Sequence, residues 1–168
     1  MITIRPATID DVKLIHELGF KTFTVTYKDI LLPDQLTYML EMMYAPHNIV
    51  TQMSEGHNYF LAYSDDIPCA YVSIEQQDEQ LYILQKIYVL PEFHGQGIGR
   101  KMIHFAFDYV KNNCKNSSCT MELHVNRNNK AQQFYSKMGL SIARTGDFDI
   151  GNGFYMNDYI MAIELVKE

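Results

Sequence analysis

The chain contains no tryptophan, only three cysteines and no long apolar run, and these absences narrow the class of protein. The cysteines, Cys69, Cys114 and Cys119, are odd in number and unevenly spaced, which is not typical of a disulfide framework. We therefore expect reduced thiols and a cytoplasmic protein. Cys114 and Cys119, with His124 nearby, lack a fourth zinc ligand, so we predict no metal site.

Basic residues are also scarce. The 14 Lys and Arg residues are outnumbered by 20 Asp and Glu, and the net charge of -6 argues against a general nucleic-acid binder. No apolar run has the length of a membrane span. The opening residues Met-Ile-Thr-Ile-Arg-Pro lack the basic and hydrophobic regions of a signal peptide, so we expect neither a leader nor a membrane partner.

The composition is sufficient to form the hydrophobic core of one domain over residues 1–168. Hydrophobic residues make up 47% of the chain and charged residues 20%, which is typical of a folded rather than a disordered protein. No repeat, low-complexity tract or linker rich in Gly and Ser divides the chain. A single hydrophobic core commonly serves a chain of this length.

Hydrophobic periodicity and turn residues predict strands and helices in a mixed order. Strands are predicted over residues 2–5, 58–64, 69–75, 81–90, 119–125, 140–148 and 154–165. Helices are predicted after residue 8, after residue 33, and over 46–53, 97–113 and 128–138. The second to fourth strands follow one another through short turns, so we expect an antiparallel meander. The whole order predicts an α/β, or α+β, fold with a mixed sheet.

Residues 88–100 carry the clearest chemical signal, because a strand ends there, a loop with Gly95, Gly97 and Gly99 follows, and a helix begins. Glycines let a backbone approach a ligand closely, and the first N–H groups of a helix suit a phosphate or pyrophosphate. The loop lacks the Gly-Lys-Ser/Thr of a P-loop and the third glycine of a dinucleotide fingerprint. The same glycines also fit a tight turn without a ligand.

Two motifs in this order resemble those of the GNAT acetyltransferases. His94-Gly-Gln-Gly-Ile-Gly99 fits motif A, Gln/Arg-x-x-Gly-x-Gly/Ala, with His94 at the first position. Asn128-Asn-Lys-Ala-Gln-Gln-Phe-Tyr-Ser-Lys-Met-Gly-Leu140 fits motif B, N-x-x-A-x-x-F-Y-x-K-x-G-F, except at its last residue. Residues 21–27 and 154–162 further resemble the PaiA-type polyamine acetyltransferases. The resemblance implies the GNAT fold, a mixed, mostly antiparallel central sheet with helices on both faces.

The resemblance also implies a site for acetyl-CoA as co-substrate. In the family this molecule lies between two parallel strands that splay apart, here the strand ending at Val89 and the strand over 119–125. The residues expected to contact it are Ile87, Tyr88, Val89, His94, Gly95, Gln96, Gly97, Ile98, Gly99, Arg100, Asn128, Ala131 and Lys137. Two of them have an alternative interpretation, because Arg100 also fits a solvated helix face and Asn128 also suits a helix N-cap.

Tyr135 matches the tyrosine that protonates the leaving CoA thiolate in many family members, although its helical spacing also fits a core residue. A primary amine is expected to attack the thioester directly. Because alkyl amines have a pKa of about 10, the site must lower that pKa or supply a base. A backbone N–H near Val89 is expected to stabilise the oxyanion.

The identity of the base stays open at this point. Glu75 and Glu122 are candidates, yet both also fit solvent-facing positions on alternating strands. Gln85 stands where related sequences often have Glu, and it cannot take a proton, which favours a chain of water molecules. Three further carboxylates are expected to line an acceptor entrance, namely Asp147, Asp149 and Asp158.

The acceptor that the resemblance implies is a polyamine such as spermidine or spermine, and the net charge of -6 suits a polycation. Two alternatives stay open: a protein or peptide N-acetyltransferase, and a non-catalytic acyl-CoA-binding regulatory module. His94 and Gln85 are the residues that favour the regulatory module. By the same resemblance we expect a homodimer joined through the C-terminal strands.

Overall fold

A computed structural model describes all 168 residues. Its seven strands are β1 (Ile2–Pro6), β2 (His57–Ser64), β3 (Ile67–Gln76), β4 (Leu81–Val89), β5 (Ser118–Asn126), β6 (Ser141–Gly151) and β7 (Phe154–Val166). Its five α-helices are α1 (Val12–Tyr27), α2 (Pro33–Tyr44), α3 (Pro46–Ser54), α4 (Ile98–Asn113) and α5 (Ala131–Lys137). Short 3-10 helices cover Ile9–Asp11 and Pro91–Phe93.

The strands form one sheet in the order β1-β2-β3-β4-β5-β7-β6. Every neighbouring pair is antiparallel except β4 and β5, which run parallel. The parallel pairing joins only residues 81–83 to residues 120–122, and the two strands separate beyond that point. The prediction of a mixed, mostly antiparallel sheet is confirmed, and so is the meander of β2, β3 and β4.

Helices cover both faces of the sheet, as predicted. On one face, α4 and α5 bury a large core in which Ile103 and Met121 are fully enclosed. On the other face, α1, α2 and α3 bury a second core around Phe23 and Tyr44. The sheet is therefore the middle of three layers, with its central strands covered on both faces. None of the helices is long and apolar enough to cross a bilayer.

Local sequence signals mark several helix ends. Thr8 and Asp11 form a capping box ahead of α1, with the Asp11 carboxylate accepting the Thr8 N–H. Pro33 and Pro46 open α2 and α3, where the missing N–H of proline costs no helical hydrogen bond. Gly139 follows α5 with φ +103°, a left-handed conformation that glycine adopts without strain.

The start of α5 differs from the prediction. The helix begins at Ala131 rather than at residue 128, so Asn128 is not its N-cap. The reason is a pair of side-chain turns: Asn126 Oδ1 accepts the N–H of Asn128 at 2.9 Å, and Asn129 Oδ1 accepts the N–H of Ala131 at 2.9 Å. Such bonds hold the backbone in a turn instead of a helix.

The prediction of three reduced thiols is also wrong for one pair. Cys114 and Cys119 form a disulfide with their Cα atoms 6.2 Å apart. The bridge forms because the loop after α4 reverses direction and brings the helix end beside the first residues of β5. Cys69 is the remaining cysteine, and its thiol is free and buried.

Candidate active site

The separation of β4 from β5 opens a cavity of about 540 Å³ on the side of the sheet that carries α4 and α5. Eleven of the residues predicted to act with acetyl-CoA line this cavity: Ile87, Tyr88, Val89, His94, Gly95, Gly97, Ile98, Gly99, Arg100, Ala131 and Tyr135. Three predicted residues, Gln96, Asn128 and Lys137, are exposed and are not among those that line it. Residues far apart in the chain are thus brought to one opening.

A bulge in β4 explains why the strands separate. Ser73 of β3 pairs with Lys86 and Ile74 pairs with Leu84, so Gln85 is an extra residue without a partner in β3. A bulge bends its strand and increases the local twist. Residues 85–89 consequently have no pairing with β5, and their backbone borders the cavity.

The loop after β4 presents backbone N–H groups to the same cavity. Gly95 and Gly97 have φ +80° and +76°, a region that L side chains adopt only with strain. Gly97 precedes α4 without a side-chain capping bond, so the first N–H groups of the helix remain available for an anion. His94 Nε2 donates to the Val89 carbonyl at 2.9 Å and ties the loop to the end of β4.

Tyr135 of α5 lies in the wall of this cavity. The residue is 9% exposed, and burial together with the nearby Tyr27 raises the pKa of its hydroxyl. The phenol is therefore protonated at neutral pH and available as a proton donor. Asn129, which the sequence analysis missed, lines the cavity and donates from Nδ2 to the Tyr27 hydroxyl at 3.2 Å. The sequence feature that could have identified Asn129 is its position as the second residue of motif B, directly after Asn128.

A second cavity, of about 480 Å³, lies on the other side of the sheet, beneath α1 and α2. Six residues line both cavities: Tyr27, Leu84, Gln85, Lys86, Tyr88 and His124. The two cavities therefore meet where β4 and β5 separate.

Glu122 lines the second cavity but does not face solvent, which corrects the expectation for this residue. Its side chain is 11% exposed, because Arg144 from β6 lies across it. The two carboxylate oxygens accept hydrogen bonds from the Arg144 guanidinium at 2.9 and 3.0 Å. Glu75 does not line either cavity; it accepts the Gln85 amide at 2.9 Å and lies 3.5 Å from His57 Nε2.

The three C-terminal carboxylates occupy different places. Asp158 lines the second cavity, where its side chain is 3% exposed. Asp147 is exposed and forms an ion pair with Arg127, and Asp149 accepts the N–H of Gly151 in the turn between β6 and β7. Only Asp158 is therefore in a position to meet an acceptor.

Lys86 is a functional candidate that the sequence analysis missed. Its Nζ donates to the Met43 carbonyl at 2.8 Å, to Gln52 Oε1 at 2.9 Å and to the Tyr59 hydroxyl. Burial lowers the pKa of this ammonium to about 7. The sequence feature that could have identified it is a lysine inside β4, a strand in which Gln85 is the only other residue with a strongly polar side chain. No group of three or more His, Cys, Asp or Glu side chains is arranged to hold a metal ion.

Comparison with known proteins agrees with this geometry. The model of the acetyltransferase (GNAT) domain matches residues 55–140, 86 of the 168 residues. N-acetyltransferases described as uncharacterised, from Mycobacterium bovis and Mycobacterium tuberculosis, are 26% identical over 162 residues. That alignment covers 93% of this chain and 99% of each relative.

Two solved structures show the same fold. The PaiA N-acetyltransferase of Thermoplasma acidophilum, in complex with coenzyme A, superposes with a TM-score of 0.77 at 21% identity and covers 96% of this chain and 98% of its own. The ribosomal-protein-S18-alanine N-acetyltransferase of Escherichia coli superposes with a TM-score of 0.74 at 16% identity. The superposition covers 100% of this chain and 96% of the E. coli chain. The chain belongs to the GNAT acetyltransferase family, and it is an acyltransferase that uses acetyl-CoA as its co-substrate.

Proposed function

We propose that this enzyme moves the acetyl group of acetyl-CoA to a primary amine by direct attack, and that the amine is a polyamine such as spermidine or spermine. The observation that carries the proposal is the meeting of two cavities where β4 and β5 separate. One cavity offers glycine-loop N–H groups for a pyrophosphate. The other offers a buried carboxylate, Asp158, for a cationic acceptor.

The proposed acetyl-CoA site uses residues that line the first cavity, together with three exposed residues that the resemblance implies and that do not line it, Gln96, Asn128 and Lys137. The pantetheine arm pairs with the free edge of β4 through the backbone of Ile87, Tyr88 and Val89. The pyrophosphate accepts hydrogen bonds from the N–H groups of residues 95–100, including Gln96, and Arg100 adds a charge. The expected N–H contact of His94 is not included, because that group donates to the Pro91 carbonyl at 3.1 Å. Asn128, Ala131 and Lys137 contact the part of the molecule nearest α5.

The proposed reaction forms one bond and breaks another. The neutral amine attacks the thioester carbonyl, so that a C–N bond forms and the C–S bond breaks. A backbone N–H near Val89 stabilises the oxyanion. Tyr135 donates its proton to the CoA thiolate, because a phenol holds its proton at neutral pH and can release it to the leaving group.

The second cavity supports an elongated aliphatic amine. Its wall beneath α2 carries thioether side chains, which pack well against flexible methylene chains: Met39, Met42, Met43 and Met156. The net charge of -6 favours the approach of a polycation. The similarity to the PaiA enzyme adds support at the level of the fold.

The experiment is amine-dependent release of CoA from acetyl-CoA, with spermidine, spermine, putrescine, an aminoglycoside and a short peptide as acceptors. Release with the polyamines supports the proposal. Release with the peptide alone contradicts the polyamine acceptor and favours a protein or peptide N-acetyltransferase. Tight acetyl-CoA binding without release for any acceptor contradicts the enzyme and favours a regulatory module.

The role of Tyr135 is tested in the same assay. Tyr135→Phe should lower kcat by about 100-fold, because loss of a general acid costs this order of rate, while acetyl-CoA binding persists. The matched control is Tyr155→Phe, a half-exposed tyrosine of β7 that lines neither cavity. Equal kcat for the two variants would remove Tyr135 from the mechanism.

Three further expectations remain proposals. We propose that residues 1–168 act as a single GNAT domain and that the enzyme works in the cytoplasm. We also propose a homodimer joined through the C-terminal strands. Its support is β6, an edge strand paired on one side only, along which Ile142 is 50% exposed.

A further inference from the structure

We infer that His124, oriented by the buried carboxylate of Asp158, receives the proton of the acceptor amine. The inference deepens the proposed function and rests on it, because it names the residue that prepares the amine for attack. It also replaces the chain of water molecules that the residue Gln85 suggested.

The carboxylates near the reaction point are not equivalent. Both oxygens of Glu122 are held by Arg144, and Glu75 is engaged by the Gln85 amide outside the cavity. Asp158 differs, since its Oδ2 is buried and has no hydrogen-bond partner. A buried carboxylate oxygen without a partner is costly, and such a group is expected to serve a ligand or a neighbouring side chain.

The nearest basic side chain to that oxygen is the imidazole of His124, whose Nδ1 lies 3.6 Å from Asp158 Oδ2. The sheet register explains the approach, because Asp158 of β7 pairs with Asn126, two residues from His124 on the same face of β5. The His124 ring also packs against Phe148, with the ring centroids 5.0 Å apart. The ring is thus held with Nδ1 towards the carboxylate.

His124 lies at the point where the reaction would occur. It is two residues beyond Glu122, the last residue of β5 that pairs with β4. His124 is among the residues that line both cavities, and its side chain lies on the same face of β5 as Glu122 and Asn126 of the acceptor cavity. That side chain is 35% exposed, so an acceptor in this cavity can reach it. With Nδ1–H directed to Asp158, Nε2 carries the lone pair that accepts a proton.

Nε2 of His124 takes one proton from the acceptor ammonium, and Asp158 stabilises the resulting imidazolium. The neutral amine attacks the thioester carbonyl; as the C–S bond breaks, Tyr135 protonates the thiolate and is reprotonated by the proton that the attacking nitrogen loses. His124 then releases its proton to solvent. The products are the acetylated amine, CoA as a thiol and one proton.

Other titratable or charged groups also face this pair from the elements packed around it. They are Tyr27 of α1, Lys86 and Tyr88 of β4, Glu122 of β5, Tyr135 of α5 and Arg144 of β6. Arg144 is neutralised by Glu122, and the ammonium of Lys86 is engaged by the Met43 carbonyl and Gln52 Oε1. Asp158 is therefore the one carboxylate free to stabilise a charged imidazole.

The test compares pH profiles of kcat/KM for the wild type, His124→Gln and Asp158→Asn, with the best acceptor of the wild type. At pH 7 we expect His124→Gln to lose about 100-fold. Its kcat/KM should then rise tenfold per pH unit towards the amine pKa of about 10, because bulk hydroxide replaces the base. Asp158→Asn, a positioning variant, should lower kcat by about tenfold, and it should also raise KM for the acceptor because the same carboxylate faces the acceptor cavity.

An acceptor amine whose pKa lies below the assay pH provides a second readout. It needs no base, so His124→Gln should acetylate it about as fast as the wild type does. His104→Gln, an exposed histidine of α4 outside both cavities, serves as the matched control and should keep the wild-type profile.

The outcomes separate this inference from the proposed function. If the wild type acetylates an amine but His124→Gln is slowed equally at every pH and with both amines, His124 has a structural role and the inference fails alone. If a peptide is the only acceptor, the polyamine proposal fails and the profiles are measured with that peptide. If no acceptor is acetylated, both fail.

Discussion

Lys86 places an ammonium group inside the protein, between β4 and the loop that joins α2 to α3. Its Nζ lies 4.2 Å from the centre of the Tyr44 ring, and it reaches oxygens from two helices. Burial lowers the pKa of Lys86 to about 7, well below the value of about 10.4 for a solvated lysine. Lys86 therefore makes the free energy of unfolding of the protein depend on pH.

The sign of that coupling follows from proton counts. Below pH 7 both the native and the unfolded chain hold the proton, and the cost of the buried charge is fully present. Between pH 7 and about pH 10.4 the native chain holds fewer protons, so the free energy of unfolding rises with pH. From pH 7 to pH 9 we expect Lys86 to add about 2 kcal/mol.

Urea unfolding at pH 7, 8 and 9 measures this effect. The free energy of unfolding of the wild type minus that of Lys86→Met should increase by about 2 kcal/mol over the series. Lys13→Met, on the exposed face of α1, is the control and should follow the wild type. Parallel curves for the wild type and Lys86→Met would show that Lys86 is not buried.

At the scale of elements, the contact between α1 and α2 depends on one glycine. A Cβ added to Gly19 would lie 2.1 Å from the Tyr44 ring, closer than any real contact. The ring cannot withdraw easily, because Tyr44 is fully buried and its hydroxyl bonds to the Tyr71 hydroxyl at 2.6 Å. Gly19 therefore sets how closely the two helices approach above the acceptor cavity.

Gly19→Ala should lower the free energy of unfolding by about 2 kcal/mol, because overpacking outweighs the helix propensity gained from alanine. In a chain of this size that loss corresponds to a fall in Tm of about 6 °C. Lys21→Ala, an exposed position on the same helix, should leave Tm nearly unchanged. A Gly19→Ala protein as stable as the wild type would mean that the helices can separate freely.

At the scale of the whole molecule, the two edges of the sheet are β1 and β6. Strand β6 is eleven residues long and exposed along most of its length. A long exposed edge tends to pair with another chain unless it is covered. The proposed homodimer would cover β6 through a symmetric contact with the same strand of a second copy.

Light scattering after size exclusion tests the dimer. The wild type should have twice the 19.5 kDa mass of one chain, and Ile142→Glu should return it towards the monomer. A buried carboxylate at a dimer interface is unfavourable, whereas Val50→Glu, at an exposed position of α3, should leave the dimer intact. A monomeric wild type, or a dimer that persists in Ile142→Glu, contradicts the proposed interface.

Much of the fold was predictable because its signals are local. The prolines at 33 and 46 mark helix starts, short apolar runs mark β2 and β3, and alternating apolar residues mark β5. The glycine loop and motif B also indicate the family from the sequence alone. Several candidate site residues, among them Gly97 and Tyr135, could be named from these motifs.

The sequence alone therefore determined the order of elements, the family and the glycine loop, since each depends on neighbouring residues. Only the tertiary structure decided which carboxylates are free. Glu122 is neutralised by Arg144, 22 residues away, whereas Asp158 is buried beside His124 without a partner. Burial and pairing arise from strand register and from contacts between distant segments, and no local pattern encodes either.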